Sequence, residues 1–376
     1  MKFSLLSWVC ITFACCTSAE KRSDINRALD TTNAKNYAYT EVKDILPDSV
    51  LFLPPTVVHL ETTDQSLITQ VDKVAISDSS IFLLDRKAAR VFKFEHTGNY
   101  VNRLDSKGAG PMEYRGVMDI CIAPETKELY VLCDVPYKIY VYDYDFNFIR
   151  EIKNDKLYLE LAIYQDQIFC RNAPLDNNEI QPFHVDILNR ITGEVERSLL
   201  PIVLPDGVSY QTLPLNKGSL LTSQGQRKPL ISVPERNFLY SLTGENTGLP
   251  KYTFIPHDSL GANGIYNATE TANFVVFTRN SLLSVLDKRK NTLWGYRYGV
   301  FNQSFLNASI NRLVPSNLDN GILLALYPDH IKLMEKSIVQ ALNENPKAED
   351  VNTIFLNFAK TLQADDNPVL VMYKFK

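Results

Sequence analysis

The sequence predicts an all-β chain built from repeated four-stranded sheets, and three observations carry that prediction. Short runs alternating apolar and polar residues are broken throughout by Gly, Asn, Asp and Pro, the pattern of strands joined by turns. The chain also repeats itself: "IFLLDRKAARVFKFEHTGNYVNRL" (residues 81–104) aligns with "LYVLCDVPYKIYVYDYDFNFIREI" (residues 129–152), with Asp85 falling close to Asp134 and Val91 to Ile139. The spacing is on the order of 45–50 residues, the length of one four-stranded propeller unit. One such sheet cannot bury both of its faces, so neighbouring units must stack face to face.

The elements follow in chain order. Lys2 and the apolar "FSLLSWVCITFACC" make residues 1–19 a signal segment, too short for a comfortable membrane span. Two processing routes are open: lipidation at Cys15 or Cys16, as in a bacterial lipoprotein, or cleavage after Ala19. Residues 20–50 read as a polar linker. Units then start near Val71, Gly116, Leu157, Ser209, Gly264 and Ile310, which makes residues 51–376 a six-bladed β-propeller. The last unit carries a two-helix insert over residues 329–366. Asp329 is placed to cap a helix with Ile331, Met334, Ile338 and Leu342 on one face, and Asn345-Pro346 to start a second. That leaves the final strand, 367–376, one neighbour short. The free strand "TVVHLET" (56–62) supplies it, closing the ring and removing two sheet edges.

Composition excludes several functions. Aromatics at 11% and charged residues at 22% suit a packed globule rather than a disordered chain. A net charge of −4 without a basic run gives no field for nucleic acid. Past the signal, Cys121, Cys133 and Cys170 are an odd number and read as buried free thiols. The five histidines are scattered, no CxxC occurs and no G-x-S-x-G occurs, so neither a metal site nor a nucleophile hydrolase has support. No cofactor is indicated. Calcium stays open as a cofactor without a ligand set in the sequence, because Asp78, Asp85, Asp134 and Asp143 recur by blade as turn caps.

Candidate binding residues come from topology. In a propeller, loops joining second to third strands share a face with the crossings between blades, and loops converging on one face are where such folds place function. That rim would carry Arg86, Lys87, Lys107, Tyr114, Arg115, Tyr137, Lys138, Arg171, Arg227 and Arg279. Arg and Tyr suit anionic groups and stacking against sugar or peptide. The loop "DSKGAGPMEYRG" (105–116) belongs to the same rim. A strand follows it instead of a helix, so it does not cradle phosphate; it is a tight crossing between blades, its glycines supplying backbone freedom.

The segment "DSKGAGPMEYRGVMDICIAPETKELYVLCD", with its Lys-Gly-x-Gly-Pro-x-Glu-Tyr core, and the ending "DDNPVLVMYKFK" resemble the six-bladed propeller lipoproteins of Gram-negative gut anaerobes, relatives of the NHL-repeat propellers. The resemblance runs from about Leu51 to Lys376 and implies an exported outer-membrane lipoprotein of the cell envelope. It transfers no catalytic residue. The resulting expectation is a lipid-anchored, non-catalytic module binding a glycan, a peptide or a partner protein. The alternatives are a calcium-assisted lyase or hydrolase acting at the tunnel mouth, and a structural subunit of an envelope complex.

Overall fold

The computed structural model describes residues 30–176, 179–203, 219–224, 227–233, 236–242, 250–255, 264–279, 281–344 and 349–376. The signal segment with Cys15 and Cys16, the expected unit start at Ser209 and the Asn345-Pro346 cap lie outside them.

Among the described residues, seven sheets act as blades, one more than the repeat predicts. Blades 1 to 5 hold four propeller strands each, over Lys73–Leu104, Val117–Lys153, Tyr158–Pro201, Leu221–Phe254 and Tyr266–Tyr296. Blade 7 combines Leu313–Val314, Gly321–Leu326 and Val369–Lys374 with Thr56–His59, which pairs antiparallel with the C-terminal strand. Blade 6 is a short sheet of Val300–Asn302, Ala308–Ile310 and Leu46–Pro47. Its strands of three, three and two residues are too short to register as a repeat, and one comes from far upstream. Its apolar side chains, Leu46, Val300 and Ile310, pack in one core with Phe274 and Val285 of blade 5 and Ile322 and Leu324 of blade 7.

The strands differ by depth for a simple reason. Second strands such as Ile81–Asp85 and Gly321–Leu326 are buried along their whole length, because a neighbouring blade covers each face of the sheet. Outer strands such as Phe148–Lys153 keep exposed positions, here Phe148, Ile149 and Lys153. Innermost strands are tied across blades by buried side chains. Lys73 Nζ of blade 1 reaches Asp119 of blade 2 at 2.7 Å, and Asp119 accepts the Leu161 N–H of blade 3 at 2.8 Å. Glu160 of blade 3 accepts the Leu221 N–H of blade 4 at 2.7 Å.

Residues 35–50 are not a linker. Lys35–Tyr37 adds a parallel fifth strand to the outer edge of blade 4, and Tyr39–Lys43 does the same on blade 5. Leu46–Pro47 joins blade 6, and a helical turn, Asp48–Leu51, follows. The stretch looks polar because an edge strand buries little. Its Tyr37 ring packs against Tyr252 and Phe254, at 6.1 and 6.2 Å between centroids.

The insert of blade 7 leaves between its second and third propeller strands as two helices, Pro328–Glu344 and Glu349–Lys360. Pro328, rather than a residue after Asp329, opens the first helix, where a missing N–H costs nothing. Ile331, Phe355, Phe358 and Leu362 anchor the pair in the core shared by blades 5, 6 and 7. Lys332 Nζ joins the helices by donating to the Ala359 carbonyl at 2.8 Å. Among the described residues, no helix is long and apolar enough to cross a membrane.

Candidate functional site

The loop 105–116 is a self-closed turn. Glu113 folds back, and its carboxylate accepts the Gly110 N–H at 2.7 Å. Gly108 and Gly110 do not have the left-handed backbone expected of them. They lie against the Glu113 side chain: a Cβ on Gly108 would stand 1.9 Å from a Glu113 carboxylate oxygen, so that carboxylate would have to swing away. Tyr114 points inward and is fully buried between blades 1 and 2, its hydroxyl accepting the Ser106 N–H at 3.3 Å. It is therefore a packing residue and no ligand contact. Asp85 and Asp143 are turn caps: Asp85 accepts the Thr69 and Ala88 N–H groups, and Asp143 those of Asp145 and Asn147.

The other rim candidates separate. Arg86, Lys87, Lys107 and Arg115 are exposed on the expected face. Tyr137 donates to Asp176 at 3.2 Å, and Lys138 is engaged by Glu151 at 2.7 Å. Arg171 and Arg279 are corrections, since both are buried. Arg171 Nε pairs with Glu160 at 2.9 Å inside blade 3. Arg279 donates to Asn237 Oδ1 at 2.5 Å, and its burial lowers its basicity. Arg227 belongs to the opposite face. It opens the second strand of blade 4, donates to the Glu270 carbonyl at 2.6 Å and pairs with Asp319 at 2.8 Å. Cys121, Cys133 and Cys170 are buried free thiols.

A cavity of about 820 Å³ opens on the face of the second-to-third loops, among blades 5, 6, 7 and 1. Gln70, Val71 and Asp72 enter it from the crossing into blade 1, Arg86 from the turn after Asp85, and Ser281 from the matching turn of blade 5. Ser309 enters from a strand of blade 6, Asn311 and Arg312 from the crossing into blade 7, and Tyr327, His330 and Met334 from the end of its second strand and its insert. Of the ten sequence-predicted residues, only Arg86 lines it. The volume lies within the range of small-molecule sites.

The polar wall is preorganised. Asp72 accepts the Arg86 N–H at 2.8 Å and the Gln70 side-chain amide at 2.7 Å. Burial pushes the Asp72 carboxyl above its ordinary value, against the opposing pull of the Arg86 N–H and guanidinium. Next to it, the Val71 N–H donates to the Tyr327 hydroxyl at 2.9 Å, and the Arg312 guanidinium covers the Tyr327 ring at 4.6 Å. Neither Arg86 nor Arg312 forms an ion pair with a described residue. Deeper in the ring Lys73–Asp119 and Arg171–Glu160 are matched one to one, at 2.7 and 2.9 Å. Among the described residues, no group of three or more His, Cys, Asp or Glu side chains could hold a metal ion. The loops of this face also expose Leu67, Met112, Val135, Ile180, Leu333 and Met334.

Sequence reasoning missed Asp72, Arg312 and Tyr327. Each stands at the end of a strand of the first or last blade, and only ring closure brings those ends together. The usable signal was "SINRLVP" (309–315), a polar crossing with an arginine directly before an inner strand.

Residues 49–374 match the family model described as Domain of unknown function (DUF4934), and the chain belongs to that family. No curated protein matches the sequence. Among solved structures, the crystal structure of a candidate exported protein from Bacteroides fragilis is similar at 16% identity. The match covers 91% of this chain and 100% of that one, with a TM-score of 0.67, and shows a shared fold. BamB from Moraxella catarrhalis aligns with 71% of this chain and 69% of its own, at 10% identity and a TM-score of 0.41. A streptogramin B lyase aligns with 74% of this chain and 81% of its own, at 12% identity and a TM-score of 0.45.

Proposed function

We propose that this member of the DUF4934 family is an exported, lipid-anchored binding propeller of the cell envelope. It takes a glycan, a peptide or a segment of a partner protein at the cavity mouth without transforming it. The observation that carries the reading is the 820 Å³ cavity, walled by hydrogen-bonded polar side chains and opening among the loops of one face. The rim residues Lys87, Lys107 and Arg115 flank that face and are the outer contacts in this reading. Export rests on the signal-like residues 1–19 and agrees with the description of the Bacteroides fragilis protein. The anchor rests on Cys15 and Cys16: changing both to Ser should release the protein from membranes, and continued membrane retention would contradict it.

A lyase or hydrolase is the second reading, favoured by one observation. Asp72 is a carboxyl whose proton affinity is raised by burial at a cavity wall, as an acid–base group requires. A thermal-shift screen of the mature chain with oligosaccharides, peptides and metal ions, each with and without chelator, separates the readings. A ligand at a hundred times its Kd adds roughly 2.7 kcal/mol and moves the melting curve visibly. A chelator-insensitive shift without turnover supports the binding module. Turnover of the shifting compound, abolished in Asp72→Asn, replaces it with the enzyme.

A further inference from the structure

We infer that the cavity recognises a carboxylated oligosaccharide, with the acid group held by Arg86 and Arg312; this rests on the cavity being the binding site. Three features lead there. The first is charge. Among the described side chains lining the cavity, Arg86 and Arg312 oppose the single carboxylate of Asp72, while the ion pairs deeper in the ring are already matched. The Arg86 charge is shared with Asp72 and with the buried Asp119 and Glu160, so Arg312, exposed and in no ion pair with a described residue, is the cation the fold leaves open to an anion.

The second is placement. Asp72 receives the Arg86 N–H, the adjacent Val71 N–H meets Tyr327, and Tyr327 carries Arg312 on its ring face. One continuous chain of contacts thus sets both guanidinium-bearing residues on one wall. A guanidinium presents paired donors that fit a carboxylate or phosphate, so an anion is the ligand group that satisfies them.

The third is the rest of the lining. Ser281, Ser309 and Asn311 present hydroxyl and amide groups, which match a polyhydroxylated ligand better than an apolar one. Tyr266 is buried and the Tyr327 ring already carries Arg312 on one face, so hydrogen bonding rather than aromatic stacking dominates recognition. The cavity volume takes more than one sugar unit.

Calorimetric titration of the mature chain tests this with four probes: trigalacturonate, its neutral methyl ester, a triglutamate peptide and a hexose phosphate. Trigalacturonate should bind best. The methyl ester, Arg86→Gln and Arg312→Gln should each weaken binding by about tenfold to a hundredfold, the loss of a charged hydrogen bond. Both arginines are exposed, so unchanged melting temperatures check that the variants fold. Equal binding of ester and acid, lost on blocking the cavity with Ser309→Trp, overturns the acidic ligand and leaves the site standing. Preference for triglutamate or the hexose phosphate overturns the sugar acid. Trigalacturonate binding unaffected by both arginine variants and by Ser309→Trp, or no binding of any probe, overturns site and ligand together.

Discussion

Replacing Glu160 by Gln should destabilise the propeller more than any surface change, because one carboxylate serves three partners across two blades. Glu160 is 3% exposed; it accepts the Leu221 N–H at 2.7 Å, the Leu220 N–H at 3.1 Å and Arg171 Nε at 2.9 Å. The amide keeps the volume, but it removes the counter-charge of a buried guanidinium and turns an NH₂ group toward N–H donors. Removing one member of a buried pair costs about 3–5 kcal/mol. Urea unfolding at pH 7, followed by intrinsic fluorescence, reads that loss. The double variant Glu160→Leu with Arg171→Met removes the charge pair yet leaves the Leu220 and Leu221 N–H groups unpaired. It should recover only part of the stability, since each orphaned donor costs about 1–3 kcal/mol. Burial raises the Glu160 carboxyl, but Arg171 and the backbone donors outweigh it and hold it below the usual value of 4.5. Its contribution is therefore complete above that value, and the gap between parent and Glu160→Gln should narrow as pH falls below it. A Glu160→Gln protein within about 0.5 kcal/mol of the parent at pH 7 would refute the tie between blades 3 and 4.

Gly108→Ala should cost about 1–2 kcal/mol by displacing the Glu113 carboxylate from the Gly110 N–H. The same loss should follow from Glu113→Ala, and the double variant should add little; additive losses in a double-mutant cycle would contradict the shared cause. Asp72→Asn should raise the melting temperature near pH 7, because burial lifts this carboxyl above its ordinary value of 3.8 and its charged form opposes folding. The advantage should vanish as pH drops toward 3.8, and a pH-independent difference would exclude the mechanism. Deleting residues 51–61 removes the outer strand of blade 7 and the Phe52 ring, which packs 5.0 Å from Tyr373 and 4.9 Å from Phe375. Calorimetry should show a sharply lowered melting temperature, whereas melting like the parent would mean that the ring does not depend on this closure.

The sequence by itself determined the all-β class, the four-stranded unit and the pairing-competent strands at both ends, because these depend on side-chain alternation and turn residues that are local. It also marked the loop 105–116 as a crossing. It misjudged residues 35–50, since an edge strand such as Lys35–Tyr37 buries one side chain and otherwise resembles a linker. It missed blade 6, whose two- and three-residue strands leave no period. Rim membership followed from topology, but whether a side chain at a strand end turns inward follows from what surrounds it. Tyr114 and Arg171 look like surface residues in the sequence; Tyr114 is buried between blades 1 and 2, and Arg171 is buried against Glu160. Only the closed ring decided the cavity. It brings Asp72 and Arg86, near the start of the propeller, beside Arg312 and Tyr327, near its end. Residues some 240 positions apart can form one wall only after every blade between them has packed and fixed the angle of the next.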